Sequence, residues 1–85
     1  MKTIYVFLAE GFEEIEALTP VDVLRRAGLS VKTVSVMDKY IVTGAHGVPV
    51  LADVMFDEVF AVDVEMILLP GGLPGATNLD AHEGL

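Results

Sequence analysis

The chain has no cysteine. It can therefore form no disulfide and no thiolate zinc site from its own residues. That usage suits a reducing compartment, so a cytoplasmic location is expected. Basic residues are scarce, with five Lys and Arg against 13 Asp and Glu and a net charge of −8. Nucleic acids and anionic membrane surfaces are both bound by clustered Lys and Arg, so neither is expected as a partner. No apolar run approaches the roughly 20 residues of a spanning helix. The opening "MKTIYVFLAEGFEE" lacks a small-x-small cleavage site and meets acids at once, so it reads as a first strand and not as a signal peptide. Gly-x-Gly-x-x-Gly and Gly-Lys-Ser/Thr are also missing, which removes the dinucleotide fingerprint and the P-loop.

What is present is apolar material: 53% of 85 residues are hydrophobic. A chain of this size buries about 60–65% of its unfolded surface, enough for one thin domain. "TIYVFLA", Thr3 to Ala9, is a nearly continuous β-prone run, as in a parallel strand covered on both faces. In "GFEEIEALTPVDVLRRAG" a stripe of Ala17, Val21, Leu24 and Gly28 predicts a helix, with acids at its start, Arg25 and Arg26 at its end and Gly28 past its terminus. Pro20 would remove a hydrogen bond from the Glu16 carbonyl and loosen the backbone there. "LSVKTVSVM" reads as a second strand, "DKYIVTGAHGVPVLAD" as a hairpin-like excursion, Asp53 to Val62 as a short helix, and "EMILLP" as a further buried strand. "DAHEGL" resembles the first turn of an uncompleted helix. Alternating strands and helices predict an open parallel α/β sheet. The chain is expected to be about half of a doubly wound domain, completed by further residues or by a second polypeptide.

Ligands of such sheets lie beyond the carboxyl ends of the strands. Two segments fall there, "AEGFEEIE" and "PGGLPG". If their strands are neighbours, the two loops line one crevice. Glu10, Glu13 and Glu14 read as a solvated helix start. Glu16 is set apart by its apolar neighbours Ile15 and Ala17. Directed into a crevice, it would be desolvated and, if protonated, could donate a hydrogen bond to a nucleophile or substrate. Gly71 and Gly72 admit either a tight turn or a pair of unobstructed N–H groups for an anion or oxyanion. His46 and His82, far apart, read as surface residues. Asp53, Asp57, Asp63 and Asp80 read as caps or turn residues.

"GFEEIEALTPVDVLRRAG", followed by "LLPGG" and "GATNL", resembles the ThiJ/PfpI family, that of the human parkinsonism-associated deglycase, within the class I glutamine-amidotransferase-like superfamily. The similarity spans essentially the whole chain. The resemblance implies a flavodoxin-like α/β/α sandwich with a parallel central sheet, of which residues 1–85 are the N-terminal half, and a homodimer. It implies that Glu16 contacts a reactive cysteine, and that Gly71 and Gly72 present N–H groups to its sulfur and to a bound oxyanion. That cysteine lies outside this sequence. The implied activity is cysteine-dependent hydrolysis of small carbonyl adducts, deglycase- or glyoxalase-like, with no metal or other cofactor. The alternatives are a redox-sensing or chaperone-like stress protein, and an amidase- or protease-like or thiazole-phosphate biosynthetic role. A phosphoreceiver reading needs an aspartate where "LLPGG" stands. His46 falls where some relatives carry arginine near the dimer interface, so a substrate contact there would vary in charge near neutral pH.

Overall fold

The computed structural model describes residues 2–59 and 63–71. Strand β1 (Thr3–Leu8) is buried at all six positions. Helix α1 (Glu14–Arg26) follows, then β2 (Val31–Ser35). Strands β3 (Ile41–Thr43) and β4 (Pro49–Leu51) pair antiparallel as the expected hairpin. After β5 (Val54–Met55) and a 3-10 turn (Phe56–Glu58) comes β6 (Val64–Leu68). The main sheet has the order β5-β2-β1-β6, and each neighbouring pair is parallel.

The continuous apolar character of β1 has the expected cause. Ile4, Val6 and Leu8 point to the face carrying α1, where they pack with Phe12, Ala17, Val21, Val31 and Val42. Tyr5, Phe7 and Ala9 point to the other face, with Val34 and Val36 and the flanking Val54, Phe56 and Val64. Phe7 and Phe56 rings lie 5.8 Å apart and tilted, within the range of favourable aromatic contacts.

Helix α1 ends as its sequence dictates. Gly28 takes φ +82°, its N–H donates to the Arg25 carbonyl at 3.0 Å and the Leu29 N–H donates to Leu24 at 3.1 Å. This is a Schellman closure, which needs a residue free to adopt the left-handed region. The Arg25 guanidinium then reaches the Val31 carbonyl (2.9 Å) and Asp53 Oδ2 (2.7 Å). The same Asp53 oxygen accepts from the Thr33 N–H at 2.9 Å, tying helix, β2 and the start of β5 together.

Helix α1 runs through Pro20, as expected, with no N–H there to donate to the Glu16 carbonyl. Two expectations need correction. The short helix placed over 53–62 is instead β5 and a 3-10 turn, because Val54 and Met55 find a ladder partner in Val34 and Ser35; residues 60–62 lie outside the described residues. Strand β6 is not buried. Met66 and Ile67 are half exposed, because β6 pairs with β1 on one side and no described strand flanks the other. Gly72, His82, Asp80 and the turn at "DAHEGL" also lie outside the described residues. Among the described residues no helix is long and apolar enough to cross a membrane.

Candidate functional site

Strands β1 and β6 are neighbours, with Tyr5 opposite Ile67 and Val6 opposite Leu68. The loops beyond their carboxyl ends therefore meet. The chain leaves β1 through Ala9 and Glu10 and turns at Gly11, where φ is +83°. Phe12, wholly buried, anchors the turn. Glu13 is the N-cap of α1, its side chain accepting from the Ile15 N–H at 2.8 Å. A carboxylate there satisfies an orphan amide and lies at the positive end of the helix.

Gly71 is bound to this first turn at both of its backbone groups. Its carbonyl accepts from the Glu13 N–H at 3.0 Å, and its own N–H donates to Glu16 Oε1 at 2.8 Å. Glu16 Oε2 has no hydrogen-bond partner among the described residues, so one oxygen is anchored and the other is open. A Cβ on Gly71 would stand 2.8 Å from Glu16 Oε1, closer than carbon and oxygen tolerate. Gly71 is not among the residues with positive φ. What it provides is a close approach of backbone to carboxylate.

The structure thus brings Glu16 and Gly71 together, with two changes from expectation. The Gly71 N–H is given to Glu16 and does not face an empty anion site. Glu16 is exposed and accepts a hydrogen bond; the expected desolvation is not present, since nothing described covers this end of the sheet.

The buried acid of the helix start is Glu14, 8% exposed. Its Oε2 accepts from the backbone N–H of His46 at 2.8 Å and from that of Val48 at 3.4 Å, and its Oε1 meets His46 Nδ1 at 2.8 Å. Burial pushes the Glu14 carboxyl up, but the His46 ring, with the backbone amides behind it, outweighs this and lowers its pKa from 4.5 to about 2. The same bond, with the charges of Glu14 and Glu13, raises the His46 pKa above its ordinary value. A carboxylate acceptor requires that Nδ1 carry the proton. A Cβ at Gly44 would collide with the Glu14 carboxylate, so the loop needs glycine there. Reading Glu14 as solvated missed this. The only signal was the glycine-rich "GAHG", whose free amides call for an acceptor.

His46 therefore does not contact Glu16 or Gly71 in the described hydrogen bonds; it faces Glu14. Glu13, Glu14 and His46 place ligand atoms within 4.8 Å of one another. Glu14 and His46 satisfy each other, however, so the trio carries no metal assignment.

Residues 2–85 match the family model for the DJ-1/PfpI family. The chain belongs to the DJ-1/PfpI family. The zebrafish (Danio rerio) Parkinson disease protein 7 homolog is 39% identical over 79 residues, covering 92% of this chain and 42% of that protein. The Pyrococcus furiosus protein named Deglycase PfpI is 38% identical over 64 residues, covering 75% of this chain and 38% of its own length. Among solved structures, oxidized Toxoplasma gondii DJ-1 is 39% identical with a TM-score of 0.93, over 100% of this chain and 46% of that one. The Salmonella typhimurium DJ-1 superfamily protein STM1931, solved as a cysteine-to-alanine mutant, gives 0.91 at 38% identity over 96% and 44%. The chain thus spans less than half the length of each of these DJ-1/PfpI relatives. Its parallel sheet and helix are those of the flavodoxin-like α/β fold of this superfamily.

Proposed function

We propose that this chain is the N-terminal half of a cysteine-dependent DJ-1/PfpI enzyme that hydrolyses small carbonyl adducts. The observation that carries the reading is the Glu16–Gly71 pair, a carboxylate and a backbone amide 2.8 Å apart where two adjacent parallel strands end. With Oε1 held by Gly71, Oε2 is the atom that, carrying a proton, would donate a hydrogen bond to an incoming thiolate. A donor there favours the thiolate and makes the cysteine nucleophilic, whereas an ionised carboxylate would favour the thiol. The thiolate sulfur would bond to the carbon that carries the amine as its C–N bond breaks, the amine leaving with a proton from water. The hydroxide so formed would then bond to that carbon as the C–S bond breaks, releasing the hydrated carbonyl compound and returning the thiolate. The family resemblance implies that Gly72 would offer its amide to the oxygen on that carbon. In this scheme Gly71 holds Glu16 in place. A relative's being named a deglycase supports the substrate class.

The test uses the full-length protein. Amine release from methylglyoxal adducts is expected to fall in Glu16→Leu together with a raised cysteine pKa, and Glu16→Gln is expected to keep the cysteine acidic. Equal thiol pKa values in wild type and both variants would refute the role. The redox-sensing alternative is favoured by one relative having been solved oxidized; it is supported if cysteine oxidation changes the protein while no adduct is turned over. A homodimer is part of the proposal. Ile15 on α1 and Leu51 on β4 are 73% and 70% exposed, apolar surface that a second copy would cover. Sedimentation of the full-length protein checks this.

A further inference from the structure

We infer that Glu14 and His46 are the positioning pair of the candidate site: by clamping the first turn of α1 to the β3–β4 hairpin they set where Glu16 meets Gly71. The inference deepens the reading of Glu16 as a site residue and rests on it. Residues two apart on a helix do not share a face. Glu14 and Glu16 accordingly hold the same turn from different sides, one toward the hairpin loop and the other toward Gly71. On the hairpin side the grip is dense: two backbone amides and an imidazole on one carboxylate, with the Gly11 N–H on the Thr43 carbonyl (2.8 Å) and the Ala45 N–H on the Phe12 carbonyl (2.8 Å) beside it. On the Gly71 side the turn is held by the bond to Glu16 and the one from the Glu13 N–H. A rotation or shift of the turn that loosens the first set must move the second, because Glu13, Glu14 and Glu16 are fixed relative to one another by the helix.

The clamp contains a titrating donor. The charged groups facing the His46 ring both come from the start of α1: Glu14 Oε1 at 2.8 Å and Glu13 Oε2 at 3.8 Å. Among the described residues no group of the hairpin or the sheet forms an ion pair with it. While the ring is protonated the bond to Glu14 is a charge-assisted one, roughly twice as strong as its neutral counterpart. When the ring loses its charge, Nδ1–H still donates but grips less. Glu16 should therefore sense the ionisation of a histidine it does not touch.

The experiment follows the Gly71 amide by nuclear magnetic resonance in the full-length protein across pH 5 to 9. The His46 ring is titrated in the same samples, with the Val36 amide, which donates to Leu8 at 3.1 Å in the sheet, as the control. The Gly71 amide shift is expected to titrate with the His46 midpoint while Val36 stays still. His46→Asn places a neutral amide nitrogen where Nδ1 stood; it is expected to keep the Gly71 shift near its high-pH value and abolish the titration. His46→Ala is expected to move the Gly71 shift toward that of Glu16→Gln and to speed its hydrogen exchange by roughly tenfold, the loss of about one hydrogen bond's restraint. A Gly71 amide blind to the His46 midpoint would overturn the inference, as would one that still titrates in His46→Asn. If His46→Ala fails to fold, the wild-type and His46→Asn titrations decide alone. A thiol pKa unmoved by Glu16→Leu would count against the proposed function and leave these amide readings unaffected.

Discussion

Gly71→Ala separates the demands of stability from those of the site. The added Cβ would lie 2.8 Å from Glu16 Oε1. Ordinary contact is about 3.5 Å, so the two must part by roughly 0.5–1 Å. The glutamate tip is flexible and exposed, so it will yield before the backbone does, breaking the bond to the Gly71 N–H. That bond contributes about 1 kcal/mol net. Against it stands about 0.4–1 kcal/mol gained when alanine narrows the unfolded ensemble at a position without positive φ. The two terms nearly cancel, and the melting temperature should change by less than about 4–8 °C, the shift that 1 kcal/mol produces in a domain of this size. Activity has no such compensation. A displacement approaching 1 Å at a positioned group costs about 10²-fold. The assay is thermal unfolding beside turnover of a methylglyoxal–amine adduct by the full-length protein. Unchanged turnover would refute the claim that the glycine serves a close approach to Glu16. A large drop in melting temperature would show that Gly71 is instead a folding requirement.

Gly44→Ala should behave oppositely: its Cβ collides with a buried carboxylate that cannot swing into solvent without abandoning three hydrogen bonds, so a loss of roughly 3 kcal/mol or more is expected in urea unfolding. Phe12→Ala empties a wholly buried site beneath the first turn and should cost about 3–5 kcal/mol by the same measurement. Asp53→Ala removes the acceptor shared by Arg25 and Thr33 and should cost about 1–3 kcal/mol, visible as a lower urea midpoint with an unchanged slope. The pH dependence has a definite sign. Glu14, lowered from 4.5 to about 2, adds stability that is present above pH 4.5 and lost as pH falls toward 2. His46, raised from 6.5, adds stability that is full below pH 6.5 and lost as pH rises through its folded value. Urea midpoints should therefore be highest between about pH 5 and 6.5, and the alkaline decline should vanish in His46→Asn.

The sheet was legible because β1 declares itself. Six consecutive β-prone residues can be buried only by cover on both faces, and Ile4, Val6 and Leu8 on one side with Tyr5 and Phe7 on the other provide it. The end of α1 was legible because the Schellman closure calls for a left-handed residue and Gly28 supplies it. β5 was not, since a two-residue strand has no periodicity and exists only through its partners Val34 and Ser35. The exposure of β6 was not legible either. "EMILLP" is apolar enough for a core, and whether a core surrounds it is decided by other residues.

The candidate site shows the same limit at the scale of one turn. Glu13, Glu14 and Glu16 are chemically alike and all lie where a helix start favours negative charge. Sequence spacing gave each a position on the helix but could not say what stood opposite. Glu13 turns back on its own helix and caps it. Glu14 meets a loop whose glycine leaves room and whose amides and imidazole need an acceptor, so it is buried and ionised. Glu16 meets a bare glycine at the end of β6, so one of its oxygens is held, and the other has no hydrogen-bond partner among the described residues. The apolar neighbours that singled out Glu16 were a poor guide to burial, for Ile15 is itself 73% exposed. The glycines were the better guide. Gly44 and Gly71 each mark where a carboxylate approaches the backbone too closely for a side chain, and each picks out the glutamate it accommodates.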